Sequence, residues 1–200
     1  MTDAVDEIAL LQAWRDGDAR AGSALVASLF PLVFRFFASK LDRAAEDLAQ
    51  QTFETCVGSR ERIPAHAGLR AWVISVARHH LLHELRRRAR HELRFDPLET
   101  TVAGLLGSPS AAVAVHEHQQ RVMQALRTLP IDFQAALELY YWEDMDVAQI
   151  AFALGVEPGT VRSRLFRGRR QLARALALPE DDDDQTEASL RAGRSDRTSI

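Results

Sequence analysis

The stretch 146–172, DVAQIAFALGVEPGTVRSRLFRGRRQL, restricts the fold of this chain more than any other part of it. Val147, Ile150, Ala151 and Leu154 recur at helical spacing over a short segment, 146–154. Gly155 supplies a turn, and Pro158-Gly159-Thr160 opens a second, longer helix. Proline is tolerated there because a first-turn N–H needs no intrahelical partner. A short helix, a glycine turn and a longer helix is the layout of a helix-turn-helix. At about 100° per residue, Val161, Leu165, Gly168 and Leu172 fall in one narrow stripe that must face a core. Opposite it lie Arg162, Ser163, Phe166, Arg167 and Arg170, and Arg164 and Arg169 flank the stripe. Segment 158–178 carries six Arg and no acid, so it repels itself unless it meets a polyanion. The outer set is expected to read base edges in a major groove, where Arg bonds guanine bidentately and an aromatic packs on a thymine methyl. The flanking arginines, Arg164 included, and the helix N-terminus at Thr160 are expected to hold phosphates.

The rest of the chain has almost no alternating, β-branched runs, whereas helical periodicity covers 5–16, 19–39, 42–57, 67–91, 111–128, 131–142 and 158–177. Pro31 is expected to kink or restart the second of these helices. Segment 95–109 carries two Pro, two Gly and several Ser/Thr without helical period, which reads as a linker. The expected architecture is all-α, with two small helical domains, 5–94 and 113–178, joined by a flexible linker at 95–112. The acidic stretch after Pro179 reads as a disordered tail, 179–200.

The net charge of −3 conceals where the charges sit. Residues 58–94 hold nine Arg against three Glu, and with 158–178 they make two basic blocks on an otherwise acidic chain. Two separate contacts with a polyanion follow. A single cysteine, Cys56, excludes an internal disulfide and a zinc site built on several thiolates. No apolar run is expected to reach the ~18–20 residues that span a bilayer. The acidic N-terminus lacks the layout of a secretory signal, so the chain reads as cytosolic. There is no nucleophile elbow, Gly-rich phosphate loop, HExxH or clustered acid pair, and no enzyme activity, cofactor or metal is expected. His79 and His83 have the i, i+4 spacing of two ligands but no third.

Two helices of the first half carry further candidates. Helix 42–57 buries Ala45, Leu48, Thr52 and Cys56, leaving Asp47, Gln50, Gln51 and Glu54 on the other face. An acidic, amide-rich face offers acceptors to a basic protein partner and repels DNA. Helix 67–91 has a core stripe of Val73, Ile74, Ala77, Leu81 and Leu85. Across it sit Trp72, Val76, His79 and His83, with Ser75 and Arg86 beside them and arginines gathered at the C-terminal end. Aromatic groups beside guanidiniums are the ingredients for holding unstacked bases over a phosphate-binding edge.

Both halves together resemble the extracytoplasmic-function (ECF, group IV) sigma factors of bacterial RNA polymerase, members of the sigma-70 family. The resemblance rests on AEDLAQQTF (45–53), LRAWVISVARHHLLHELRRR (69–88), TLP (128–130) and IAFALGVEPGTVRSRLFRGRRQL (150–172), in the family's order and spacing. It implies a region 2 helical bundle and a region 4 helix-turn-helix. It implies that Asp47, Gln50, Gln51, Phe53 and Glu54 dock on the β′ clamp helices of core polymerase, and that region 4 meets the β flap. Residues 58–68, with Ile63, would match the loop that captures a flipped base of the −10 element. Trp72, His79, His83, Arg86 and Arg87 would lie on the helix that melts it. Thr160, Arg162, Ser163, Arg164, Phe166, Arg167 and Arg170 would meet the −35 element. The family often has Asn where this chain has His79, and an aromatic where it has Ile63. The resemblance further implies an anti-sigma partner that covers the polymerase-binding surfaces and can hold the protein at the membrane. The alternative is an autonomous helix-turn-helix regulator that binds operator DNA without polymerase. It accounts for 146–177 but leaves AEDLAQQTF and the Trp/His face without a use.

Overall fold

The computed structural model describes residues 6–41, 43–64, 68–89, 95–106, 117–179 and 183–193. Among them the regular structure is helical apart from an isolated bridge between Thr101 and Pro130. The chain divides into two compact units, Met1–Leu81 and Leu82–Ile200. The division falls within a helix that runs unbroken from Leu69 to Arg88.

The first unit begins with α1 (Glu7–Arg15) and α2 (Ala19–Ala38), each started by an aspartate. The Asp6 carboxylate accepts the N–H groups of Ile8 and Ala9, and that of Asp18 accepts those of Arg20 and Ala21. These bonds satisfy donors that a helix start leaves open. α2 continues through Pro31 without restarting; Pro31 is exposed, so its missing hydrogen bond falls on the solvent side. Leu25, Leu29, Leu32, Val33, Phe36 and Phe37 of α2 are buried, and α1 and α3 (Ala45–Gly58) pack against this helix. By length and composition α2 could cross a bilayer, with a mean hydropathy of 1.7 over an 18-residue window, which corrects the expectation that no run reaches that length. In this fold its apolar stripe faces the core of the first unit. A single 3-10 turn, Arg60–Arg62, leads on towards α4 (Leu69–Arg88).

The second unit continues with α5 (Val102–Leu106), α6 (Glu117–Arg127), α7 (Ile131–Tyr141), α8 (Val147–Leu154), α9 (Pro158–Ala175) and α10 (Asp183–Ala192). α7 is buried along almost its whole length, and α6, α8, α9 and α10 all pack on it. Two expectations fail here. The described part of the linker, 95–106, is built into the fold: Ile131 N–H donates to Thr100 O (3.0 Å) and Asp132 N–H to Pro97 O (3.1 Å). The reason is local, since α7 starts after Pro130, which has no side-chain oxygen to cap the first-turn N–H groups. Linker carbonyls take that place, and Val102 is buried beside them in sequence. The remainder of the expected linker, 107–112, lies outside the described residues.

The acidic tail is the second correction. Residues 183–192 form α10, with Thr186 and Leu190 buried four apart on one face. Trp142 Nε1 donates to Leu190 O (2.8 Å), and Tyr141 Oη donates to Glu187 Oε1 (2.8 Å). Asp183 and Asp184 fall in the first turn, where negative charge favours a helix. A polar composition thus concealed a short amphipathic helix.

Candidate nucleic-acid interface

The helix-turn-helix is assembled by local rules. Asp146 caps α8 and closes a reciprocal capping box with Gln149: the Gln149 N–H donates to the Asp146 carboxylate (2.8 Å) and the Asp146 N–H to Gln149 Oε1 (3.0 Å). α8 ends at Gly155, whose φ of 63° is left-handed and suits glycine. Pro158 is the first residue of α9. At Gly168 a Cβ would stand 3.2 Å from Leu137 Cδ1, so the close approach of α9 to α7 depends on the missing side chain.

Along α9, Val161, Leu165, Gly168 and Leu172 are buried, which is the stripe read from the periodicity. Thr160, Arg162, Phe166, Arg167 and Arg170 are exposed and Ser163 is half-buried. Phe166 is 51% exposed, and the Arg170 guanidinium stands 5.8 Å from its ring centroid. An aromatic that size left in solvent beside a cation is a surface waiting for a partner. Phe152 of α8, 54% exposed, is a second such aromatic that the periodic reading passed over; its place opposite the buried Ile150 and Leu154 was the signal.

The two flanking arginines behave otherwise than expected. Arg164 is buried and its Nη2 lies 3.0 Å from Asp132 Oδ2 of α7, so it serves the interior of the unit and is withdrawn from phosphate contact. Arg169 is half-buried; its Nε pairs with Asp183 of α10 (3.3 Å) and its Nη1 donates to Tyr141 Oη (3.4 Å). Burial, reinforced by the bond to Glu187, holds the Tyr141 phenol above its ordinary pKa, so it stays a neutral donor. Both arginines sit at the edge of the stripe, where the helix meets its neighbours.

On α4, Val73, Ile74, Ala77, Leu81 and Leu85 are buried as the spacing required. Trp72 is half-buried, whereas His79, His83, Arg86 and Arg87 are exposed. Arg87 and Arg88 both reach Glu84, at 2.7 and 2.6 Å. The Arg87 hydrogen bonds, with that of Arg88, lower the Glu84 carboxyl to about 2, against the cost of burial. Arg86 lies over the Phe95 ring (5.5 Å). Ile63 is buried, so in the turn after α3 it anchors the chain and does not present a face to a base.

On α3, Asp47, Gln50, Gln51 and Glu54 are exposed together, with Gln50 Nε2 donating to Glu54 Oε1 (2.9 Å). Glu46 and Asp47 also fall in the first turn of a helix whose N-cap, Ala44, offers no side-chain oxygen, so they favour the helix as well. Phe53 is buried and stacks on Phe30 of α2, with centroids 6.2 Å apart, behind the polar face. Burial pushes the Cys56 thiol up to about 12, far from the range of a reactive thiolate.

Comparison with known proteins agrees with this geometry. Residues 25–91 match the family model for sigma-70 region 2 and residues 119–172 that for sigma-70 region 4. The ECF RNA polymerase sigma factor SigC of Mycobacterium tuberculosis is 30% identical over 188 residues, covering 90% of this chain and 94% of the relative. The RNA polymerase sigma-H factor of Pseudomonas aeruginosa is 27% identical over 179 residues, covering 84% and 92%. Among solved structures, the sigma factor RpoE in complex with the anti-sigma factor NepR, from Bartonella quintana, shares the fold with a TM-score of 0.61 at 21% identity, over 78% of this chain and 96% of that one. A helix-turn-helix whose second helix carries no acid, set after a region 2 bundle and aligned over 90% of the chain with such a relative, makes this chain an RNA polymerase sigma factor of the ECF type in the sigma-70 family.

Proposed function

We propose that this sigma factor binds core polymerase through the exposed α3 face and reads promoter DNA through α4 and α9. Asp47, Gln50, Gln51 and Glu54 meet the β′ clamp helices, with Phe53 stacked behind them as support. Arg162, Ser163, Phe166, Arg167 and Arg170 read the −35 duplex, and Thr160 at the start of α9 holds a phosphate. Arg164 is left out of that set because it is committed to Asp132. Trp72, His79, His83, Arg86 and Arg87 contact the −10 element as it opens. The observation that carries this reading is the exposed Phe166 ring among three exposed arginines on a helix without an acid.

No chemical step belongs to the chain; strand opening draws on binding energy. Each stacked or flipped base contributes about 1–3 kcal/mol, which offsets a few kcal/mol of local unpairing. Phosphate contacts make binding to free DNA strongly salt-dependent. The protein works where polymerase works, in the cytoplasm, and an anti-sigma partner that covers the polymerase-binding faces restrains it, as the RpoE–NepR pair suggests. Run-off transcription with purified core and a promoter library tests the reading: defined −10 and −35 elements are expected. Binding to operator DNA without stoichiometric association with core would favour an autonomous regulator.

A further inference from the structure

α1 lies ahead of the span that matches region 2, yet one of its ends grips the turn after α3 and the other the start of α4. At its C-terminal end, Arg15 donates from Nε to Arg60 O (3.2 Å) and from Nη2 to Arg60 O (3.1 Å), Glu61 O (3.1 Å) and Ile63 O. One planar fork thus collects three carbonyls of a single turn, a task that suits guanidinium better than a point-charge ammonium. At its N-terminal end, Glu7 accepts a bidentate pair from Arg70, 3.0 Å from Nε and 2.8 Å from Nη2, in the first turn of α4. Ser28 Oγ of α2 donates to the same carboxylate (3.0 Å). Glu7 and Arg15 lie eight residues apart, about 12 Å along the helix axis.

The turn has few bonds of its own. Arg62 N–H donates to Ser59 O (2.8 Å) and Ile63 N–H to Arg60 O (3.3 Å), while a three-residue 3-10 turn leaves later carbonyls in need of donors. Ile63 is buried and Arg15 gathers the carbonyls of the turn, so the turn is held by both a core side chain and a guanidinium. We infer that α1 is a splint for this turn, and that Arg15 is a positioning residue that presets the surface capturing a flipped −10 base. The inference rests on the reading, implied by the resemblance, of this turn as part of the base-capturing loop; with Ile63 buried, the exposed Arg60 and Arg62 side chains would form its surface. Preordering a loop in its bound shape removes an ordering cost from binding, and that cost returns when the fork is lost.

The test uses the holoenzyme formed with purified core and a fork-junction DNA whose single strand is randomised across the −10 register. Arg15→Met, which keeps the stem and loses the fork, is expected to reduce base enrichment at one position by about tenfold, with core association and −35 duplex binding unchanged. Arg15→Lys gives a smaller loss in the same direction and serves if Arg15→Met unfolds, which thermal unfolding monitored by circular dichroism reveals. Unchanged enrichment in a folded Arg15 variant overturns the splint. If Arg60→Ala and Arg62→Ala also leave enrichment unchanged, the loop reading itself fails; if they abolish it while Arg15→Met does not, only the splint fails. A uniform loss at every position, with −35 duplex binding weakened in parallel, marks Arg15 as a residue that serves the fold alone and also overturns the splint.

Discussion

Arg164 of α9 and Asp132 of α7 meet at 3.0 Å, with only 7% and 4% of their side chains exposed. This ion pair joins the candidate reading helix to the central helix of its unit. Removing one member of a buried ion pair strands the other charge away from water. Asp132→Ala is therefore expected to destabilise the protein by about 3–5 kcal/mol, read by urea unfolding. Asp132→Leu combined with Arg164→Met should recover most of that loss. A cost under about 1 kcal/mol for Asp132→Ala would show that water reaches the pair.

Arg167 and Phe166 project from the opposite side of α9 and carry no load in the core. Arg167→Ala should weaken −35 discrimination by about 1–3 kcal/mol if it reads a base edge. Stability and core association should hold. Equal loss on every promoter, with a salt slope reduced by about one, would assign Arg167 to a phosphate.

Charge reversal on α3 tests the protein–protein face. Asp47→Lys with Glu54→Lys, both at exposed positions, should weaken association with purified core by about tenfold or more, since like charges across an interface cost several kcal/mol. The expected check is co-purification at two salt concentrations. Unchanged association would remove α3 from the docking surface.

Glu84 gives a pH prediction. Its folded carboxyl lies near 2, below the ordinary 4.5, chiefly through the bond from Arg87. A depressed acid contributes stability that is present above its unfolded value and lost as pH falls through the folded one. Stability should therefore decline between about pH 4.5 and 2, and Glu84→Gln should flatten that part of the curve in urea titrations. The same variant releases Arg87 and Arg88, so binding to −10 DNA should become more salt-dependent.

Leu190 seats α10 against the second unit and is fully buried. Leu190→Ala should cost about 2–5 kcal/mol, measured by denaturant unfolding. An unchanged midpoint would restore the picture of a tail without structure.

Much of this molecule could be read from residue order because its signals are local. The stripe Val161, Leu165, Gly168 and Leu172, the turn at Gly155 and the start at Pro158 each depend on neighbours within one helical turn. The same holds for Leu48, Thr52 and Cys56 of α3 and for Ile74, Ala77 and Leu81 of α4. Failures came where composition stood in for geometry. Segment 95–106 looked like a linker because Pro and Gly suggested freedom, yet its carbonyls cap α7. Segment 183–192 looked disordered because it is polar, yet Thr186 and Leu190 make a face.

Period and turn chemistry settled, from residue order alone, that the chain is helical, that α9 starts at Pro158, and that α9 turns an arginine face outward. Tertiary structure alone decided which arginines stay at the surface to meet DNA. Helical period sets Arg162 on the outer face and Arg164 at the edge of the core stripe, but nothing local says whether an edge cation reaches solvent or is buried. The difference is Asp132, thirty-two positions earlier, brought within 3.0 Å by the packing of α7 on α9. Arg15 and the carbonyls of Arg60–Ile63 are another such pair. A charge takes its role from the partner that compensates it, and a distant partner exists only once the chain has folded.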